Sequence, residues 1–113
     1  MDPITTIVHF EVPAGNVDRF FAFWQDRIKD EVSRRPGLID GILYRGIDPD
    51  GPFQFINVAF WESAEQLAAG LKKTGEEMPE IAEVFQDLGV KVSQNNYAEA
   101  VRYTADPGPS QVE

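Results

Sequence analysis

The first forty residues carry two successive hydrophobic patterns. From Ile4 to Val12 the even-numbered residues are mostly apolar and the odd-numbered residues mostly polar, which is the two-residue period of a β-strand. A Pro-Ala-Gly-Asn break at residues 13–16 ends this strand. From Val17 to about Arg35 apolar residues recur every three or four positions, which predicts an amphipathic helix. Pro36-Gly37 is expected to end that helix.

A hairpin is predicted next. Leu38–Ile47 and Phe53–Trp61 both have the character of strands, and Asp48–Pro52 between them is dense in turn-forming residues. The two strands should therefore run antiparallel. Phe53–Trp61 carries apolar residues on both faces, which is typical of a strand that is covered on both sides.

The region after the hairpin predicts two further helices. Ser63 and Gln66 have the spacing of a capping box, so a helix is expected from Ala64 to about Leu71. The Thr-Gly and Met-Pro pairs within residues 74–79 are expected to interrupt it. Pro79–Leu88 is predicted to form a second, short helix.

A fourth strand is expected within Val90–Tyr103, from about Asn96 onwards, because side chains alternate in character there. Residues 104–113 are polar and contain two prolines. We predict a single domain over residues 1–103, followed by a disordered tail.

The order strand, helix, strand, strand, helix, strand is that of an α+β protein of the ferredoxin-like kind, β-α-β-β-α-β. Such a fold has a four-stranded antiparallel sheet with its helices on one face. The opposite face should be apolar here, since Phe53–Trp61 is apolar on both sides. An exposed apolar sheet of this size is unusual for a monomer, so we expect a homodimer that packs through this face.

Composition narrows the possible functions. The chain has 113 residues, with 10 Lys+Arg against 19 Asp+Glu and a formal charge of −9, which disfavours nucleic acid and anionic membranes as partners. There is no cysteine and only one histidine, so a transition-metal site made by protein ligands alone is not expected. No signal peptide and no membrane-spanning run is found, and a cytoplasmic location is expected.

A few polar residues lie where apolar ones are expected. Asn57 and Trp61 share one face of the third strand, and a buried amide or indole N–H needs a hydrogen-bond partner. The hydrogen-bond partner of Asn57 could be a structural group in a neighbouring loop or a ligand, and both alternatives stay open. His9 is the natural candidate for a general base because its ordinary pKa lies near neutrality, although a structural role is equally open. Tyr44 could donate to a bound oxygen or simply pack.

Four stretches of the chain resemble the antibiotic biosynthesis monooxygenase family. They are Pro36-Gly37-Leu38-Ile39, Leu43-Tyr44-Arg45, Asp48-Pro49-Asp50 and, most specifically, the run from Phe55 to Glu65 with sequence FINVAFWESAE. The resemblance implies a dimeric α+β barrel with a pocket between sheet and helices in each subunit. Well-studied members of this family oxidise aromatic polyketides to quinones with O₂ and use neither flavin nor metal.

The resemblance also implies a site. Family members have an Asn and a Trp spaced as Asn57 and Trp61 are, and His9 is added here as a possible proton-transfer residue. The residues predicted to bind the substrate are Tyr44, Phe55, Trp24, Phe20 and Phe85. One departure is that residues 65–85 contain no Arg, Tyr or His, which other members supply from this region. Haem-degrading relatives ligate iron with a helix histidine, which this chain lacks.

The leading hypothesis is a cofactor-independent monooxygenase that oxidises a small aromatic or polyketide-like substrate with O₂. Two alternatives stay open. One is a non-oxidative polyketide cyclase or isomerase on the same scaffold, which would work without O₂. The other is a dimer that binds small apolar molecules without turnover.

Overall fold

Four antiparallel strands form the sheet of the computed structural model, which describes residues 2–52 and 54–108. The strands are β1 (Ile4–Glu11), β2 (Leu38–Arg45), β3 (Phe55–Trp61) and β4 (Lys91–Tyr97). They lie in the order β2-β3-β1-β4, so β2 and β4 are the edge strands. This order confirms the ferredoxin-like fold. Phe53 and residues 109–113, for which a strand end and a disordered tail were predicted, lie outside the described residues.

All helices cover one face of the sheet. A 3₁₀ turn at Ala14–Asn16 leads into α1 (Val17–Phe23), a π-helical turn (Trp24–Ile28) and α2 (Lys29–Ser33), which follow one another without a break. The second helical region consists of α3 (Ala64–Glu77) and α4 (Glu80–Leu88). In the described ranges, no helix combines the length and apolarity that crossing a bilayer would need.

The apolar stripe predicted for the first helical region is confirmed by burial. Phe20 is fully buried and Ile28 nearly so, while Trp24 is half-buried. The π-helical turn was not predicted, because one additional residue in a turn hardly changes the spacing of apolar positions. Gly37 adopts a left-handed backbone with φ of 91°, a conformation that favours glycine and agrees with the predicted end of this region at Pro36-Gly37.

Ser63 is the N-cap of α3, as the sequence predicted, but the predicted interruption of α3 at Thr74-Gly75 is wrong. Ser63 Oγ accepts a hydrogen bond of 3.2 Å from the backbone N–H of Gln66. The helix continues through Thr74 because that side chain is buried, and its Oγ1 accepts a 2.9 Å hydrogen bond from Arg35 Nε. This tertiary contact outweighs the weak helix propensity of a Thr-Gly pair.

The prediction that β4 begins near Asn96 is also wrong. The strand runs over Lys91–Tyr97 and pairs antiparallel with β1, from Lys91 opposite Glu11 to Tyr97 opposite Thr5. As an edge strand that is exposed throughout, it carries mostly polar side chains, and these conceal its period from the sequence. Beyond Tyr97 the chain passes the first residue of β1, Ile4, and it carries neither helix nor strand up to residue 108.

The two faces of the sheet differ as predicted. The helix-covered face holds the core, in which the Phe20 and Phe55 rings pack with centroids 5.0 Å apart. The opposite face is uncovered within one chain; it is apolar along β3, whereas β1 and β4 also place polar side chains such as Thr5, His9 and Ser93 on it. Ile42, Tyr44 and Tyr97 on this open face are 42%, 53% and 46% exposed.

Candidate active site

A cavity of about 190 Å³ lies between the helices and the sheet. Its floor includes Asn57, Ala59 and Trp61 of β3, and its helical wall includes Trp24 and Phe85. The volume exceeds the roughly 150 Å³ of an apolar protein cavity that binds benzene. A ligand with at least one aromatic ring therefore fits.

Two polar side chains on the cavity floor lack a partner. Trp61 is only 1% exposed, and its Nε1 is the one buried side-chain donor without a hydrogen bond among the described residues. Asn57 is half-buried, and its side chain makes no hydrogen bond to any of the described residues. An unpaired buried donor costs about 1–3 kcal/mol, so the Trp61 indole N–H favours a ligand oxygen as partner, whereas the half-buried Asn57 amide can bond either solvent or a ligand.

Strand geometry sets the spacing of these two groups. Asn57 and Trp61 are four residues apart on one strand face, which separates their Cα atoms by about 13 Å. Between them lies Ala59, and Gly41 of β2 lies opposite Ala59. These small residues leave the floor low between the two polar groups, which suits a flat, fused-ring molecule with oxygens at both ends.

The remaining polar groups of the cavity are neutral and already bonded. Thr6 Oγ1 accepts a 3.0 Å hydrogen bond from Gln94 Nε2 and donates one of 2.8 Å to Asn96 Oδ1. Thr74 accepts from Arg35, as described above. The lining residues include no acid, base, tyrosine or histidine. The cavity can therefore donate hydrogen bonds to an anion but offers no side chain that would take a proton.

An ion-pair network braces the helical side of the cavity. Buried Arg35 contacts Glu31 at 2.7 Å and Glu77 at 3.2 Å, in addition to Thr74. The hydrogen bond from Arg35, followed by that from Lys73, holds the pKa of the Glu77 carboxyl below its usual value. Across the described ranges, no group of three or more His, Cys, Asp and Glu side chains is placed to hold a metal ion.

A groove of about 340 Å³ adjoins the cavity at the β2 edge of the sheet. It shares Trp24, Asn57 and Ala59 with the cavity, and its outer wall includes Lys29 and Ile39. The groove is thus a route from solvent to Asn57, and we call it the entrance groove. The charged side chains that line the entrance groove are Lys29 and Asp40.

The predicted aromatic residues divide into two groups. Trp24 and Phe85 line the cavity. Phe20 and Phe55 are fully buried in the core and are not among its lining residues. Their rings support the wall from behind.

His9 and Tyr44 lie on the open face, away from Asn57 and Trp61. Both stand opposite Ile56 in the sheet, whereas Asn57 stands opposite Val8 and Leu43. Because neighbours along a strand point to opposite faces, neither residue reaches the cavity of its own chain. The structure therefore does not bring together the predicted base and the predicted oxygen-binding pair.

Some cavity residues were missed from the sequence. Ala59 lies within the run from Phe55 to Glu65 but carries no polar group that would single it out, and Gln94 lies in a strand that was predicted in the wrong place. The π-helical turn at Trp24–Ile28 brings both its end residues to the cavity, and such turns occur frequently at functional sites. A signal for Ala59 was present in its position midway between Asn57 and Trp61.

A sequence profile of the family described as "antibiotic biosynthesis monooxygenase" matches residues 3–86. The match spans β1 to most of α4, which includes the floor and the helical wall of the cavity. The chain belongs to the antibiotic biosynthesis monooxygenase family. Among curated proteins none matches the chain significantly.

Solved structures agree with this family membership. A candidate monooxygenase from Shewanella loihica PV-4 is 25% identical, with a TM-score of 0.75 over 90% of this chain and 97% of that one. SnoaB, a cofactor-independent oxygenase from Streptomyces nogalater, is 22% identical, with a TM-score of 0.65 over 92% and 97%. A dimeric ferredoxin-like protein from an uncultured marine organism is 11% identical, with a TM-score of 0.71 over 91% and 100%. The last two likenesses are likenesses of fold.

Proposed function

We propose that this family member is a cofactor-independent monooxygenase that oxidises a small aromatic or polyketide-like substrate with O₂ to a quinone. The observation that carries the proposal is that Asn57 and Trp61 line a mainly apolar cavity and that, among the described residues, neither side chain has a hydrogen-bond partner. These donors suit a substrate whose oxygens become negatively charged during the reaction.

The chemistry needs no redox group from the protein, since the substrate supplies the electrons. A ring CH₂ flanked by phenol or carbonyl groups loses a proton to give an anion, and this anion attacks O₂ to form a C–O bond. Protonation gives a hydroperoxide, and loss of water leaves C=O. One O₂ is consumed for each CH₂ converted to C=O and H₂O. Asn57 and Trp61 would stabilise the anion by hydrogen bonds to its oxygens.

The absence of titratable side chains from the lining of the cavity restricts the substrate class. No residue of that lining can remove the first proton, so the substrate must ionise readily by itself or in the entrance groove near Lys29. Anthrone-like molecules carry such a CH₂ and meet this condition, whereas a hydroquinone lacks it and serves as the comparison substrate. Since His9 lies on the open face, we assign it no part in proton removal within its own chain, and we expect His9→Ala to leave the rate near the wild-type value.

We further propose that the protein is a homodimer that packs through its open sheet face. The uncovered apolar residues of that face support this, and a fold neighbour is described as a dimeric ferredoxin-like protein. Burying Ile42, Tyr44 and Tyr97 against a second copy would remove an unusually apolar surface from water.

The test is O₂ consumption with an anthrone and with a substituted hydroquinone, after dialysis of the protein against chelator. Asn57→Ala and Trp61→Phe each remove one donor, and we expect a loss of about 10²–10³ in rate, the size seen when an oxyanion donor is deleted. Asn95→Ala, a similar change on the open face of β4, and Trp24→Phe, which keeps an apolar wall, should lose much less. Equal rates in all four variants would contradict the assignment of Asn57 and Trp61.

Repeating the assay under argon separates the alternatives. Product formed at an unchanged rate without O₂ would indicate a cyclase or isomerase. Quenching of Trp24 and Trp61 fluorescence by the same compounds without any product would indicate a binding protein. A cavity lining without titratable groups also suits that function.

A further inference from the structure

The chain leaves the body of the fold after β4. Residues 98–107 carry no helix or strand and are exposed throughout, and we call them the C-terminal arm. The arm nevertheless presents apolar side chains, with Val101 76% and Tyr103 89% exposed. The radius of gyration is 16.7 Å, against about 13 Å for a compact chain of this length, which agrees with a segment that projects outwards.

The sheet register puts the start of the arm and the entrance groove at the same end of the molecule. Tyr97 stands opposite Thr5, Thr5 opposite Phe60, and Phe60 opposite Asp40. These residues form one line across the sheet, from the β4 edge to the β2 edge. The arm therefore begins level with Asp40, a lining residue of the entrance groove, but on the far edge of its own sheet.

A second copy can bring the two edges together, and this step depends on the homodimer proposed above. If two sheets pack through their open faces about an axis parallel to the strands, the β4 edge of each copy lies over the β2 edge of the other. Such a rotation preserves position along the strands, so Asp40 and the partner's Tyr97 stay level. The strands β2 and β4 run antiparallel within a chain, and they remain so across the dimer. Closure of this kind removes both exposed edges.

We infer that the C-terminal arm of each copy leaves its partner's β2 edge level with Asp40, near the start of that strand, and turns across the mouth of the partner's entrance groove to form its outer wall. Six residues from Tyr97 to Tyr103 span about 20 Å when extended, which is enough to cross the groove mouth. The groove offers an exposed apolar side chain at this mouth, since Ile39 is 58% exposed. Contact with the partner's Val101 and Tyr103 would bury apolar surface on both sides and complete the route to Asn57.

Disulfide cross-linking tests this arrangement cleanly, because the natural chain has no cysteine. Three double variants combine Ile39→Cys with Glu99→Cys, Val101→Cys or Tyr103→Cys. The edges of one sheet lie about 14 Å apart, too far for a disulfide within the chain at those edges. The control combines Val101→Cys with Ile47→Cys, a fully exposed position beyond the other end of β2.

We expect at least one Ile39→Cys pair to give a covalent dimer on a non-reducing gel about tenfold faster than the control pair, as the favourable disulfide geometry requires. Light scattering before oxidation reports the dimer independently. A dimer that cross-links no faster than the control would overturn the arm placement and leave the proposed function standing. A monomer would overturn both the arm placement and the proposed homodimer.

A second measurement links the arm to the site. Tyr103→Ala should weaken binding of 1-naphthol, followed by quenching of the two tryptophans that line the cavity, whereas Tyr103→Phe should preserve it. Unchanged binding in Tyr103→Ala, with the dimer intact, would show that the arm does not wall the groove.

Discussion

Gly70 of α3 lies against the Trp61 ring. Replacing a glycine by alanine inside a helix usually stabilises the fold, but this contact predicts that Gly70→Ala destabilises it. An ideal Cβ at Gly70 would lie 2.6 Å from Trp61 Cη2 and 2.8 Å from Cζ3. Both distances are too short for carbon atoms, so the ring or the helix must move. Trp61 is 1% exposed, so the ring has little room except towards the cavity.

The magnitude follows from two opposing contributions to the free energy of unfolding. Replacing glycine by alanine inside a helix normally stabilises it by about 0.8–1 kcal/mol. Overpacking a well-filled core costs about 1–3 kcal/mol. Gly70→Ala should therefore destabilise the fold by about 1 kcal/mol, and a ring displaced towards the cavity should also weaken naphthol binding.

Gly75 of the same helix provides the matched control. A Cβ at Gly75 meets nothing within 4 Å, so only the gain in helix propensity remains. Gly75→Ala should stabilise by up to about 1 kcal/mol. The two variants should thus differ by about 2 kcal/mol, or roughly 8 °C in Tm for a domain of this size.

Urea unfolding of both variants, followed by circular dichroism, measures the difference. If Gly70→Ala unfolds at the same or a higher urea concentration than Gly75→Ala, the packing of Trp61 against α3 is not the constraint described here. A destabilised variant that binds naphthol as well as the wild type would show that the ring does not shift into the cavity.

Three further changes test other parts of the structure. Ala59→Leu should fill the floor between the two side chains and abolish naphthol quenching, at an overpacking cost of about 1–3 kcal/mol for this buried position, and retained quenching in the folded variant would contradict the cavity assignment. Because Arg35 lowers the pKa of Glu77 in the folded state, this carboxylate stabilises the fold above about pH 4.5, its ordinary value, and the contribution is lost as the pH falls below that value. The urea midpoint of the wild type should therefore fall more between pH 6 and pH 3.5 than that of Glu77→Gln, and parallel profiles would refute this. Val58→Asp, at the centre of the open face, should give a folded monomer by light scattering, whereas Ala69→Asp on the exposed side of α3 should stay dimeric.

Much of the fold could be predicted because it depends on local signals. The two-residue period of β1 and the three-to-four-residue period after Val17 set the element types, and Ser63 with Gln66 set the start of α3. The alternation of side chains also put Asn57 and Trp61 on one face of β3. On β1 it put His9 and Val8 on opposite faces. These patterns report covered and uncovered positions directly, so no knowledge of distant contacts was needed.

Other features were decided only by tertiary contacts. The polar edge strand β4 takes its position from pairing with β1, which its own sequence does not reveal. α3 continues through Thr74 because Arg35, far away in the chain, bonds its hydroxyl. The site depends on the same kind of information: Asn57 and Trp61 became a cavity floor only once the helices showed which face they cover and which donors stay unpaired. Hydrophobic periodicity identifies a face, but partners for polar atoms come from residues distant in sequence, and only the folded chain brings those together.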